Sequence, residues 1–569
     1  MKISAGHLLR SHNFLALLIL SCCSLLAVWV YYDSRLVLDD WVQIASYRAF
    51  GALRTFAWGR PRPLDLAAYK AISDLFGLNI FAYYFINGLI IIGVFFTVYT
   101  LIDRLLPKLY PFPLVASAIA LLYPADYTLT WITMLNNRLA WLITLVGMLL
   151  LYDYASRGNL IRLVFAALCM FLPLWIHEGS LGISILWCIF IAFISSRAST
   201  RRRLAILSPI IPLIFFVILR VIIRPRMNIS DGHLINLFNF TPELFWIRLK
   251  QITIFAKAWV GFLPELLHQL GFGRLSKQTI LISIMLLIGM NMLIIHALLR
   301  SVRLWEKPPF SLGDREEISK KLGWAILFAS GFLVAGYIPI IITFPPNLDD
   351  ISTRTNMYAI PAVAAIITAI IGLIALALTR SRLQWQLFLW IGALPLIIIG
   401  IGTQITIQQR WHAAWEQQKS IWQQLFQIVP DFEDKTTVVL ILKDYRRLGF
   451  AEHPPLYAQW EFDGALSVLY ENYSLRGRIL FPAADIYSES NLAPTKVIGA
   501  YQEESTYDQT VFMTYNPNNG RLKLVFDLQE ELDLPFQVPG YDPESRIDRT
   551  INKDWKYRYL VDAQPELAP

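Results

Sequence analysis

Two adjacent aspartates, Asp39 and Asp40, follow the first apolar run of the chain. A basic, proline-pinned stretch, Arg60-Pro61-Arg62-Pro63-Leu64, comes later in the same polar segment. Neighbouring carboxylates repel, so one should hold its proton more tightly than a free aspartate does. Partial burial pushes the same way and leaves a group able to take a proton from a hydroxyl. The plainer role for either acid is an N-cap on a helix over 37–55, which satisfies free backbone N–H groups and favours the macrodipole. In such a helix Val37, Trp41, Ile44 and Ala45 form one apolar stripe at the membrane surface. Prolines flanking Arg62 restrict the backbone. The two forked guanidinium groups suit a phosphate or diphosphate, with generic contact to lipid head groups as the alternative.

Four further places carry ionisable side chains where apolar residues would be expected. His177-Glu178 stands at the end of an apolar run, where an ionisable pair is costly and points to function; tying two helices together is the structural alternative. Asp126, in Tyr123-Pro124-Ala125-Asp126-Tyr127, could orient a substrate or bind a cation, or serve only the turn. Arg138 lies near the entrance of a span, where an arginine has a cost. Arg354, in Asp349-Asp350-Ile351-Ser352-Thr353-Arg354-Thr355-Asn356-Met357-Tyr358, immediately precedes an apolar run on the side that positive-inside bias leaves poor in cations. It suits the phosphate of a membrane-embedded donor, against simple snorkelling to the surface. The acid pair could recruit a divalent cation, although no ligand set of defined spacing accompanies it. Walker, GxGxxG, HExxH and CxxC patterns are missing from the sequence.

The elements that must position these residues are membrane spans. Hydrophobic residues make up 56% of 569 positions and charged residues 16%, with a mean hydropathy of +0.47. A soluble chain carries nearer a quarter charged. Apolar runs at 13–32, 79–101, 111–124, 132–151, 160–176, 180–195, 204–223, 278–299, 323–344, 357–379 and 386–405 predict a polytopic α-helical membrane protein with about eleven transmembrane helices. Arginines at 157, 162, 197, 201–203, 380 and 382, with the basic segment 300–321, mark cytoplasmic loops, and Lys2 and Arg10 put the amino terminus inside. This direction requires that 224–277 make no net crossing. Its apolar part, 241–264, carries Arg248, Lys250 and Lys257 and reads as an interfacial amphipathic helix or a re-entrant hairpin. Outside then lie 33–78, the turn 124–131, 345–356 and everything after about 406. The division is a transmembrane domain over 1–405 and a soluble extracytoplasmic domain over 406–569. Helical spacing at 411–426, the β-branched run 436–442 and the hairpin signal Pro517-Asn518-Asn519-Gly520 make the latter α/β. The charge of +8 belongs to arginines at span ends and is no nucleic-acid signature.

An acidic pair after the first span, a basic Pro-Leu motif later in that loop, outward polar turns and a closing exported domain resemble the GT-C class of integral membrane glycosyltransferases. The branch with protein O-mannosyltransferases and the lipid A aminoarabinose transferase is the most similar. In architecture the resemblance covers about 1–405; in residue type only the short motifs match. It implies Asp39 as the base that activates an acceptor, with Asp40 where the family has a glutamate. It also implies Arg60 or Arg62 as the donor contact, and a sugar donor carried on polyprenyl phosphate. The expected activity is a lipid-linked-sugar-dependent hexosyl or pentosyl transferase acting on a glycan, lipid or protein acceptor at the outer face of the inner membrane. A lipid or polysaccharide transporter or flippase is a second class, and it would place charges along span interiors, which most spans here lack. A non-enzymatic envelope assembly protein is a third, for which the exported domain would suffice without the acids.

Overall fold

Apolar runs of this length form helices because every backbone polar group is then satisfied within the segment. A computed structural model describes residues 12–30, 36, 39–45, 48, 63–194, 200–218, 241–243, 246, 247, 250, 310–341, 351–442, 456, 458–481, 491–499, 503–550 and 555–562. Contacts divide the chain into two units. The first is Met1–Val30, Pro61–Asp65 and Tyr84–Gln408; the second is Tyr31–Arg60, Leu66–Tyr83 and Gln409–Pro569. The acid-bearing segment thus belongs by contact with the carboxy-terminal part of the chain.

The helices are α1 (His12–Val28), α2 (Pro63–Phe76), α3 (Ile80–Leu105), α4 (Phe112–Leu121), α5 (Leu135–Arg157), α6 (Leu160–Phe171), α7 (Leu181–Ile194), α8 (Thr200–Ile218), α9 (Leu312–Ile341), α10 (Ile360–Leu378), α11 (Arg382–Ile428) and α12 (Gln459–Leu469). Five helical segments among the described residues are long and apolar enough to cross a membrane: Ile80–Leu105, Ile132–Arg157, Gly313–Tyr337, Ile360–Leu378 and Arg382–Ile428. Shorter apolar helices accompany them, and the run 278–299 lies outside the described residues, as do most of 241–264.

Within the first unit α9 packs on α10 through small residues. A Cβ on Gly372 would stand 3.2 Å from Leu322, and Ala325, Ala369 and Ala375 are buried in the same cluster. Small residues allow such close approach where lipid gives helices no hydrophobic reason to associate. The run 111–124, expected as a span, yields only the ten-residue α4, all of it buried. Ten residues rise about 15 Å, half of a bilayer core, so α4 ends in the protein interior. The outward turn expected at 124–131 is likewise buried throughout.

In the second unit the β-branched run becomes β2 (Thr437–Leu442), buried at all six positions. With β3 (Arg476–Leu480), β7 (Thr510–Asn516) and β8 (Arg521–Leu524) it forms a four-stranded sheet in the order β3-β2-β7-β8, apart from the short β1 (Asp431–Phe432) and from a small sheet of β4 (Asn491–Ala493), β5 (Lys496–Ile498) and β6 (Glu504–Thr506). β2 pairs in parallel with both β3 and β7, and β7 pairs antiparallel with β8. The parallel β2–β3 step needs a crossover, and α12 supplies it. The hairpin closes at Gly520 (φ 65°), whose N–H donates to the Asn516 carbonyl at 2.9 Å. The carboxy-terminal domain therefore contains a helix-crossed mixed sheet, in keeping with the α/β reading of the sequence.

Candidate functional site

The chain between α4 and α5 passes through the interior with a single 3₁₀ turn, Ile132–Met134, as its regular structure. Buried backbone of this kind is tolerated only where the protein satisfies its carbonyls. Four side chains from four places in the first unit do so. Gln404 on α11 donates to the carbonyls of Tyr123 (2.8 Å) and Asp126 (3.2 Å). Asn356 donates to the Ala125 carbonyl at 3.2 Å, and Asn87 on α3 to that of Leu129 at 2.9 Å. Arg138 on α5 donates to the carbonyls of Thr128 and Trp131 and, at 2.8 Å, to Asn87 Oδ1. Asp126 turns back on its own turn, where Oδ1 accepts from the Thr128 N–H (3.1 Å) and hydroxyl (2.8 Å). Both side chains are almost wholly buried. The geometry therefore gives Asp126 and Arg138 a structural task, shaping the loop that carries Trp131.

Trp131 leads to Arg354. The half-buried Arg354 guanidinium lies over the Trp131 ring, 5.9 Å from its centroid. Arg354 sits in a 3₁₀ turn, Ile351–Asn356, which is pinned on several sides. Asn356 Oδ1 accepts from the Tyr337 hydroxyl on α9 at 3.0 Å while its amide reaches Ala125. Tyr358, fully buried, stacks on His177 (5.7 Å, 19°) and meets Trp141 edge-on (5.1 Å, 77°). Its hydroxyl lies 2.9 Å from His177 Nδ1, which also accepts the Gly179 N–H at 3.2 Å. A backbone N–H can only donate, so Nδ1 is the acceptor of both bonds and the ring hydrogen sits on Nε2. A side chain at Gly179 would collide with the Tyr358 ring, so this residue must be glycine for the two turns to meet. His177 thus braces the Arg354 turn. The Glu178 side chain lies outside the described residues.

The acids belong to the second unit. Of the stripe expected over 37–55, the described part is helical, Trp41–Ala45 winding as a π-helix, and it is enclosed in protein. Trp41, Val42, Gln43, Ile44 and Ala45 are all buried, the polar Gln43 included. The reason is a partner the local pattern does not contain. The Trp41 ring lies against Trp422 (6.5 Å), which stacks on Phe462 of α12 (5.3 Å, 22°). Asp40 is fully buried and Asp39 half-buried, its Oδ1 accepting the indole N–H of Trp460 at 2.8 Å. Arg60 and Arg62 lie outside the described residues.

The structure therefore brings together Asp126 with Arg138, and His177 with the turn of Arg354, and it sets Asp39 and Asp40 in the other unit. Sequence reasoning missed Trp131, Asn356, Tyr358 and Trp460 as parts of these sites. Asn356 and Tyr358 lie in the polar stretch already singled out for Arg354, whereas nothing local distinguishes Trp460. Among the described residues no three His, Cys, Asp or Glu side chains gather as a metal ion would need.

No protein-family model and no curated protein matches the chain. In structure it is similar to the crystal structure of ArnT from Cupriavidus metallidurans bound to undecaprenyl phosphate. The TM-score is 0.34 and the identity 14%, over 83% of this chain and 87% of that one. At that level of similarity, what this chain does has to be read from its own residues.

Proposed function

We propose that the chain is a glycosyltransferase that moves a hexosyl or pentosyl group from a polyprenyl-phosphate carrier to a hydroxyl of a glycan, lipid or protein. The reaction takes place at the extracytoplasmic face of the inner membrane, with the amino terminus cytoplasmic and 406–569 outside. The observation that carries this reading is the acid turn, where fully buried Asp40 adjoins half-buried Asp39, itself held by an indole N–H. A carboxylate held in a fixed direction is placed to take a proton from a hydroxyl. The motif resemblance supports the donor class.

Asp39 or Asp40 takes the proton from the acceptor hydroxyl as its oxygen bonds to the anomeric carbon. The bond from that carbon to the carrier phosphate breaks at the same time, and polyprenyl phosphate leaves with the electron pair. Direct displacement inverts the anomeric centre. Arg354, with Arg60 or Arg62, stabilises the charge that develops on the leaving phosphate, as preorganised cations do. His177, which braces the Arg354 turn, and Glu178 shape the sugar or acceptor pocket. Asp126 and Arg138 act at one remove by fixing the loop of Trp131.

The test is mass spectrometry of envelope glycans and lipids from cells lacking the chain, complemented with wild type, Asp39→Asn or Asp40→Asn at equal membrane levels. One glycan class is lost in the deletion, and at least one of the two variants fails to restore it. Full restoration by both removes the base and the reading with it.

A further inference from the structure

The base proposed above is oriented by the exported domain. Asp39 Oδ1 accepts the indole N–H of Trp460 at 2.8 Å, across 421 positions of sequence. Trp460 stands on the first turn of α12, and Gly464, four residues on, shares its helix face. A Cβ at Gly464 would lie 2.9 Å from Val42 Cγ2, 3.3 Å from the Val42 nitrogen and 3.4 Å from the Trp41 carbonyl carbon. One face of α12 therefore lies directly on the backbone of the acid turn. On another side the Trp41 ring rests against Trp422, which stacks on Phe462 of the same helix.

The helix that presents the indole is itself fixed. Asp463 accepts the Gly477 N–H of β3 at 2.9 Å, and Glu461 accepts the Gln418 amide of α11 at 2.8 Å. Both contacts are buried, so α12 is tied to the sheet on one side and to the long helix on the other. A lysine or arginine in place of Trp460 would pair with the carboxylate and weaken it as a base. An indole N–H carries no charge and has one fixed direction. It can hold the carboxylate in one orientation while leaving it able to accept a proton.

We infer that Trp460 is a positioning residue for Asp39, so that the exported domain forms part of the catalytic apparatus rather than an appendage. The inference rests on the proposed glycosyl transfer, and the experiment separates the two. Full-length protein in nanodiscs is supplied with the lipid-linked sugar fraction extracted from the host membrane. Release of polyprenyl phosphate is followed for wild type, Trp460→Phe, Trp460→His, Asp39→Asn, Asp40→Asn and the double variant Trp460→Phe with Asp39→Asn.

Trp460→Phe keeps an aromatic ring in the contact and removes the donor. Its saturating rate falls about 10- to 100-fold, the scale of one hydrogen bond to a charged group, with the half-saturating amount of donor lipid unchanged. Trp460→His, which restores a ring N–H, recovers part of the rate. The double variant loses nothing beyond Asp39→Asn alone, the signature of two groups acting as one. A wild-type rate in Trp460→Phe beside an inactive Asp39→Asn overturns the inference and leaves the proposed function standing. An equal loss in Trp460→Phe and Trp460→His, with a lowered thermal midpoint in both, assigns Trp460 to packing and also overturns it. Full activity of Asp39→Asn together with Asp40→Asn overturns the proposed function itself.

Discussion

The interior loop between α4 and α5 and the helical segment Asp39–Ala45 are both enclosed by protein, yet different contacts hold them. In the first, side chains from α3, α5, α11 and the Arg354 turn each donate to a carbonyl, and the loop is a hydrogen-bonded structure. In the second, the Trp41 ring lies against Trp422, a Cβ at Gly464 of α12 would stand 3.3 Å from the Val42 nitrogen, and Asp39 accepts the Trp460 indole N–H. Buried carbonyls have no water to turn to, so the protein must supply donors. Close packing against α12 instead fixes where the acid-bearing segment lies. Substitutions in the first region should therefore register as lost stability and, on the proposed reaction, substitutions in the second as lost rate.

The largest effect is expected at Arg138. Arg138→Met takes the guanidinium from Asn87 Oδ1 and from the carbonyls of Thr128 and Trp131, which keep only the N–H groups of Trp131 and Met134. Buried hydrogen bonds to a charged group contribute roughly 1.5–3 kcal/mol each, so the first unit should lose about 3 kcal/mol or more. Thermal unfolding of the purified protein, followed by proteolysis in the segment 122–134, measures this. An unchanged midpoint would show that the loop does not depend on its donors.

Next comes Gly464→Val, which drives two methyl groups into the Val42 and Trp41 backbone, already 2.9–3.4 Å from the position of a Cβ. Overpacking of this kind costs about 1–3 kcal/mol, but the sharper consequence is displacement of Asp39 and Asp40. Transfer should fall more than 100-fold, since misplacing a base forfeits most of what a base contributes. The far-ultraviolet circular dichroism should stay native. Retained activity would mean that the acids tolerate movement and that α12 does not set their place.

How much of this was legible from sequence differs between the same two regions. Runs of apolar residues announced the helices, and Val438 to Leu442 with Asn518-Asn519-Gly520 announced the sheet and its hairpin, because these signals are local. The break between the runs 386–405 and 411–426 did not survive. Gln408, Gln409 and Arg410 interrupt hydropathy but not helix propensity, so α11 continues unbroken for 47 residues. Arg354 stood out as a cation on the side where cations are scarce, and Asp39-Asp40 as a pair. Their supports did not stand out. Tyr358 meets His177 181 positions away and Trp460 meets Asp39 421 away, and no periodicity encodes such distances. At 39–45 the chain is helical with Trp41, Ile44 and Ala45 buried, but a stripe says that a face is buried and not what buries it.

The smallest effect, and the one that sharpens the comparison most, is expected at the second unit's own buried arginine. Arg478 in β3 is 1% exposed, as deep as Arg138. Its Nη2 lies 3.4 Å from the Ser505 hydroxyl and 3.7 Å from the exposed Glu503 carboxylate, but Nε and Nη1 have no hydrogen-bond partner among the described residues. Gly499 lies against the guanidinium, where a Cβ would collide with it. Burial pulls the Arg478 pKa down, while Glu503 and Asp463 pull it up. A buried charge so thinly paired adds little stability, and exchange of such groups for apolar side chains of similar volume is often neutral or favourable. Methionine is long, unbranched and adaptable enough to follow the same path, and Glu503 is exposed enough to regain water. Arg478→Met should therefore change the stability of the carboxy-terminal domain by about 1 kcal/mol or less, or raise it, where the same substitution at Arg138 costs at least three times as much. Chemical denaturation of the full chain, read by the tryptophans of each unit in turn, measures both. Equal losses at the two arginines would mean that burial alone sets the cost and that the donors counted at Arg138 do not.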